Sequence, residues 1–192
     1  MTLPDPPARA DARRNREAVV DTAMELLARK PDASMREIAD ASGVGRTTVY
    51  RHFPTREDLI RAIFERIGDE GRALVVAAVA AGGSAEDVLR RLGVEIAAIG
   101  ARYRFLEAHR EIGQRALKEQ VVEDDPLLAW VRAAHARGEL TAELSPEWIQ
   151  GMVSPLAIGA SEEMLAGRVG EAEAGRLLGE TFVRAFASRT GP

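Results

Sequence analysis

Between Arg46 and Arg56 the chain carries Arg46, Thr47, Thr48, Tyr50, Arg51, His52 and Arg56, a run of cations and hydroxyls. Each can donate a hydrogen bond to a phosphate oxygen or a base edge, which is the chemistry of nucleic-acid recognition. An arginine such as Arg46 can also bond guanine through two parallel N–H groups, worth about 1–3 kcal/mol against the wrong base. Catalytic chemistry finds no comparable set. The three histidines, His52, His109 and His135, have no metal-ligand spacing, and there is no cysteine. Ser154 lacks the flanking glycines of a nucleophile elbow, and no glycine loop that cradles phosphate is present. Glu162 and Glu163 are adjacent on a helical pattern and diverge. The expectation is a protein that is not an enzyme and needs no metal or cofactor.

Two short helices must position the polar run. Ser34 with Glu37 three residues on is a capping box, so a helix should start at Met35. Ile38 should face inward, with small Ala39 where a second helix crosses closely. Ser42-Gly43 breaks the pattern, and Gly43 supplies the positive φ of a sharp turn. Val44 and Val49 point back, and the second helix, about Arg46 to His52, turns its polar residues outward. This is the layout of a helix-turn-helix, whose second helix lies in the DNA major groove.

Ile38-Ala39, Gly43-Val44 and the run Thr48-Val49-Tyr50-Arg51-His52-Phe53-Pro54-Thr55-Arg56-Glu57-Asp58-Leu59 resemble the DNA-binding domain of the tetracycline-repressor (TetR) family of bacterial regulators. The resemblance runs from about Arg16 to Phe64. It implies that Thr48, Tyr50, His52 and Arg56 bind phosphate and that Arg36 reaches DNA from the preceding helix. Arg46 and Thr47, at the start of the recognition helix, are placed to meet base edges. Lys30-Pro31 departs from the family's usual glycine and aromatic pair. Gly45 and Arg56 replace its common serine and lysine. The resemblance further implies a homodimer on a palindromic double-stranded DNA operator, a repressor role and a small-molecule effector. The alternative is a constitutive DNA-binding protein without an effector.

The composition, 46% hydrophobic and 29% charged, fits a soluble globular chain of 192 residues. No cysteine, no signal-peptide core and no membrane-length apolar stretch point to the cytoplasm and away from the membrane. Net charge is −4 overall, but residues 1–64 hold 11 Lys/Arg against 10 Asp/Glu, leaving −5 on the remainder. DNA binding must therefore rest on where the arginines sit rather than on bulk charge.

Helical periodicity runs throughout, and the expected fold is all-α with about nine helices. Residues 1–11 read as a disordered arm, 12–54 as a three-helix helix-turn-helix domain, and 55–81 as a connecting helix that Gly68 or Gly71 could bend. Residues 82–192 read as an effector-binding and dimerisation domain. Arginines 9, 13, 14 and 16 could reach DNA from the arm. Gly100 should interrupt the helix that begins after Ser84. Pro155 should kink the charge-free segment Trp148–Ser161, whose two faces would pack on its own domain and on a partner subunit. Tyr103, Phe105, His109, Trp130 and Met152 are the candidate effector residues, with core packing as the competing role for each.

Overall fold

A computed structural model describes residues 7–119 and 125–188. Among them the chain forms nine α-helices and one 3-10 turn: α1 (Pro7–Arg29), α2 (Met35–Ala41), α3 (Arg46–His52), α4 (Arg56–Ala80), α5 (Ala85–Arg102), the 3-10 turn Arg104–His109, α6 (Arg110–Glu119), α7 (Pro126–Ala136), α8 (Pro146–Leu165) and α9 (Glu171–Phe186). The only pairing of extended backbone among these residues is a single bridge between Leu140 and Ala187. The chain divides into two compact units, residues 1–66 with 105–120 and residues 67–104 with 121–192. The 105–120 segment thus groups with the helix-turn-helix, although it stands in sequence among the residues expected to form the second domain.

In the first unit α1, α2, α3 and the start of α4 bury Val19, Val20, Ala23, Leu27, Ile38, Ala39, Val49, Phe53, Leu59, Ile60 and Ile63. The helix α1 starts at Pro7, ahead of the expected Ala12. Proline at a first helical position has its φ already set, and Ala8, Ala10 and Ala12 are strong helix formers. The rest of the expected arm, residues 1–6, lies outside the described residues. Arg13 and Arg14 are helical and pair with Glu17 and Asp11. Arg16 pairs with Glu65 at 3.1 Å and lies 5.4 Å above the Phe53 ring. In α6, a Cβ on Gly113 would fall 2.4 Å from the Phe64 ring, so this helix comes against Phe64 with only a hydrogen between them.

The second unit is a helical layer around Val75, Val88, Leu89, Leu92, Val131, Ile149, Leu178, Phe182 and Phe186. Its tightest crossing joins α5 and α9, where Gly93 meets Gly179 and Gly175 meets the Val94 backbone. Such close approach requires residues without a Cβ. Gly100 does not interrupt α5, which continues to Arg102. Here the glycine makes room for the Ser161 side chain of α8, 2.5 Å from where its Cβ would be. The span of α4 includes Gly68 and Gly71, and that of α8 includes Pro155. The bridge at Leu140 is completed by Thr141 N–H donating to Phe186 O at 2.8 Å and Ser188 N–H to Glu139 O at 3.0 Å, which fastens the end of α9.

Candidate nucleic-acid interface

The turn that aims the recognition helix is built as its residues require. Ser34 Oγ accepts from Glu37 N–H at 3.3 Å, and the Glu37 carboxylate accepts from Ser34 N–H at 2.8 Å. Lys30 adds a 2.6 Å ion pair to Glu37. The Lys30 hydrogen bond, then the Ser34 N–H and hydroxyl, hold the Glu37 carboxyl down at about 2. Ser42 ends α2, its hydroxyl donating to Ala39 O at 2.9 Å and accepting from Val44 N–H at 3.2 Å. Gly43 takes φ 68°, the left-handed conformation that the turn demands. Gly45 is the N-cap of α3, without a side-chain bond.

Only Val49 of α3 is fully buried; Arg46, Thr47, Tyr50 and Arg51 are exposed, and Thr48 and His52 are half-buried. Arg46 and Tyr50, like Thr47 and Arg51, lie four residues apart and so share faces of the helix. Arg36 projects from α2 with its Nε 3.9 Å from Asp40. The candidate residues of α2 and α3 therefore occupy one unit, on a short helix pair with rigid caps.

Two of them, Arg46 and Arg56, have partners that the sequence did not disclose, and His52 has an enclosed ring nitrogen. The Arg46 guanidinium donates through Nε and Nη2 to the two oxygens of Asp40, at 2.7 and 2.8 Å. The Asp40 carboxyl is lowered from its ordinary range by that hydrogen bond first and by the nearby charges of Arg46 and Arg36. Arg56 donates to the carbonyls of Ala33 and Pro31, the second at 3.1 Å. It thereby clamps the α1–α2 loop, which answers the unusual Lys30-Pro31 pair; the phosphate contact expected of Arg56 would have to share its donors with these carbonyls. His52 is half-buried, its Nε2 is enclosed with no partner among the described residues, and burial, with Arg51 and Arg16 adding, lowers its pKa. Asp40 stands six residues before Arg46 across a turn, so no helical spacing signals the pair.

The candidate effector residues fall in different units. Phe105 and His109 belong to the first, where burial and then Arg56 lower the His109 pKa. Tyr103, Trp130 and Met152 belong to the second. The Tyr103 hydroxyl donates to Glu70 at 2.6 Å, and Met152 packs on the unit's core. Trp130 is 8% exposed and also lines an open, largely apolar cleft of about 560 Å3 with Val76, Val79, Val88, Ala133 and Arg137. Core packing and cleft lining therefore coexist at Trp130. Among the described residues no cluster of His, Cys, Asp or Glu could hold a metal ion, and no helix is long and apolar enough to cross a membrane.

Residues 19–63 match the tetR family of bacterial regulatory proteins. Over 79 residues, 41% of this chain, the sequence is 42% identical to the HTH-type transcriptional repressor LfrR of Mycolicibacterium smegmatis. It is 38% identical over 65 residues, 32% of this chain, to the HTH-type transcriptional regulator SAR0097 of Staphylococcus aureus. These stretches span 42% and 34% of the two curated proteins, less than half of either. The fold is similar over a greater length. The crystal structure of LfrR in complex with proflavine superimposes with a TM-score of 0.62, covering 92% of this chain and 98% of that one at 24% identity. A SmeT–triclosan complex gives 0.63 over 92% and 93% at 16% identity, and such distant likenesses speak for the fold alone. The two curated relatives carry names of transcriptional regulators, and the match over residues 19–63 makes that segment a helix-turn-helix of the tetR type within a fold that the solved relatives share.

Proposed function

We propose that this protein is a DNA-binding transcriptional regulator, acting as a repressor, that binds a palindromic operator as a homodimer and leaves it when a small molecule occupies the second unit. The observation that carries the reading is the surface of α3. Arg46, Thr47, Tyr50 and Arg51 are exposed on a helix whose opposite side is fixed by Val49 and whose entry is fixed by Gly43. Arg46 and Thr47, at the first turn, are assigned to base edges; Thr48, Tyr50, Arg51 and His52, with Arg36 and Arg56, are assigned to the backbone phosphates.

Dimerisation is supported by α8. Trp148, Gly151 and Pro155, at i, i+3 and i+7, are exposed on one side while Ile149 and Val153 are buried on the other. Trp148 is 57% exposed, and Leu165 and Leu177 add exposed apolar surface at the end of α8 and on α9. Gly151 and Gly159 have open space where a Cβ would point, which leaves room for the backbone of a second copy.

The effector is assigned to the Trp130 cleft as an apolar or amphipathic small molecule, since apolar walls with few polar groups suit such ligands. Relatives with proflavine and triclosan bound support a ligand-responsive role. By linkage, an effector that weakens operator binding must itself bind more weakly when operator is present.

Sequencing the genomic fragments retained by pure protein tests the reading: a shared inverted repeat is expected, and retention without sequence enrichment contradicts it. With Trp148→Phe, Trp130 is the sole tryptophan. Its fluorescence should respond to each compound that releases operator; release without any response would place the effector elsewhere.

A further inference from the structure

We infer that Asp40 is a specificity-determining residue, which holds the Arg46 guanidinium by one edge so that its other edge is presented to a guanine. The inference rests on the assignment of Arg46 to base readout and adds the group that orients it. A guanidinium has five N–H donors in one plane. Asp40 engages the edge formed by Nε and Nη2, one carboxylate oxygen on each, at 2.7 and 2.8 Å. Arg46 makes no other hydrogen bond among the described residues, so both Nη1 protons and the second Nη2 proton remain available. One Nη1 proton and the second Nη2 proton form the end-on edge, whose two parallel N–H bonds match the O6 and N7 acceptors of guanine. The carboxylate consumes only the donors that this contact does not need.

Orientation matters because Arg46 is the first residue of α3 and is 54% exposed. An unheld arginine there would sample many rotamers and could settle on a phosphate, which carries no sequence information. Asp40 comes from α2, across the turn fixed by Gly43, so it restrains the side chain from a different helix. Its own charge would repel DNA, but Arg46 and Arg36, at 3.9 Å, lie against it. The aspartate thus disfavours phosphate capture by Arg46 while leaving the guanine contact intact.

The experiment measures affinity of the full chain for an enriched operator and for versions in which each guanine of the half-site is changed to adenine. Wild type, Arg46→Ala, Asp40→Asn and the double variant are compared at one salt concentration. The expected result is that Arg46→Ala lowers discrimination at one base pair about 5- to 150-fold. Asp40→Asn should lower discrimination at that same base pair, by about 3-fold or more, and add nothing in the Arg46→Ala background. Affinity for unrelated DNA should hold or rise, since a negative charge has gone. If Asp40→Asn changes affinity for every sequence alike and leaves the ratio intact, Asp40 is only a local charge or a fold element and the inference is overturned. If Arg46→Ala leaves all base preferences unchanged, the base-reading role of Arg46 fails first and the inference falls with it.

Discussion

The α5–α9 crossing makes a prediction whose sign can be worked from backbone distances. A Cβ placed on Gly93 would lie 2.2 Å from Gly179 N, 2.4 Å from Gly179 Cα and 2.9 Å from Gly175 O. Every one of these is a backbone atom, so no side chain can swing aside. Restoring an ordinary van der Waals separation requires the two helices to part by roughly 1 Å or more, since well-packed atoms sit about 3.5–4 Å apart. Leu89, Leu92, Leu178 and Phe182 belong to the same core and would loosen together. Gly93→Ala should therefore cost about 1–3 kcal/mol or more by overpacking, against the helix-propensity gain of somewhat under 1 kcal/mol. For a chain of this size that is a fall of about 2–12 °C in Tm. Gly71→Ala is the matched control: it lies inside α4 with nothing within 4 Å of the new methyl, and should stabilise by about 0.5–1 kcal/mol. Urea titrations followed by far-UV circular dichroism compare the two. If Gly93→Ala were as stable as wild type, the reasoning about the crossing would be wrong.

Arg56→Ala should destabilise the protein by roughly 1–3 kcal/mol, because the carbonyls of Ala33 and Pro31 lose a charged donor; an unchanged urea midpoint would return Arg56 to a purely phosphate-binding role. The Glu37 carboxyl, held at about 2 against an ordinary 4.5, adds stability that is fully present above pH 4.5 and is lost as pH falls toward 2. Glu37→Gln should remove that portion of the acid limb of a stability–pH curve, and a Glu37 resonance titrating near 4.5 by NMR would contradict the assignment. Gly151→Glu places a charge where this chain itself has open space, so it should yield folded monomers by light scattering and circular dichroism; a persistent dimer would move the interface off this face of α8.

The elements that aim the candidate site were legible because their determinants are local. Ser34 and Glu37, Ser42 and Gly43, and Ser84 and Asp87 act within three or four residues, so the boundaries of α2, α3 and α5's first turn follow from the order of residues alone. Gly100 misled for the opposite reason: its role is to admit Ser161 from a helix sixty residues away, which no local pattern encodes. The same holds for Arg56 on the Pro31 carbonyl and for Asp40 on Arg46, whose partners lie across turns. The grouping of α6 with the helix-turn-helix rests on packing such as Phe64 against Gly113. The glycine contact between α5 and α9 did leave a signal, Gly175 and Gly179 four residues apart on one helix face, of the kind that marks close helix crossings.

Sequence-specific regulation requires that the α3 surface read a base sequence. The most direct measurement is the ratio of affinities for the enriched inverted repeat and for a scrambled duplex of equal length, taken at one physiological salt concentration. A regulator of this design should favour its repeat by about 10³-fold or more, binding one dimer across the two half-sites. Equal affinities for the two duplexes would contradict it.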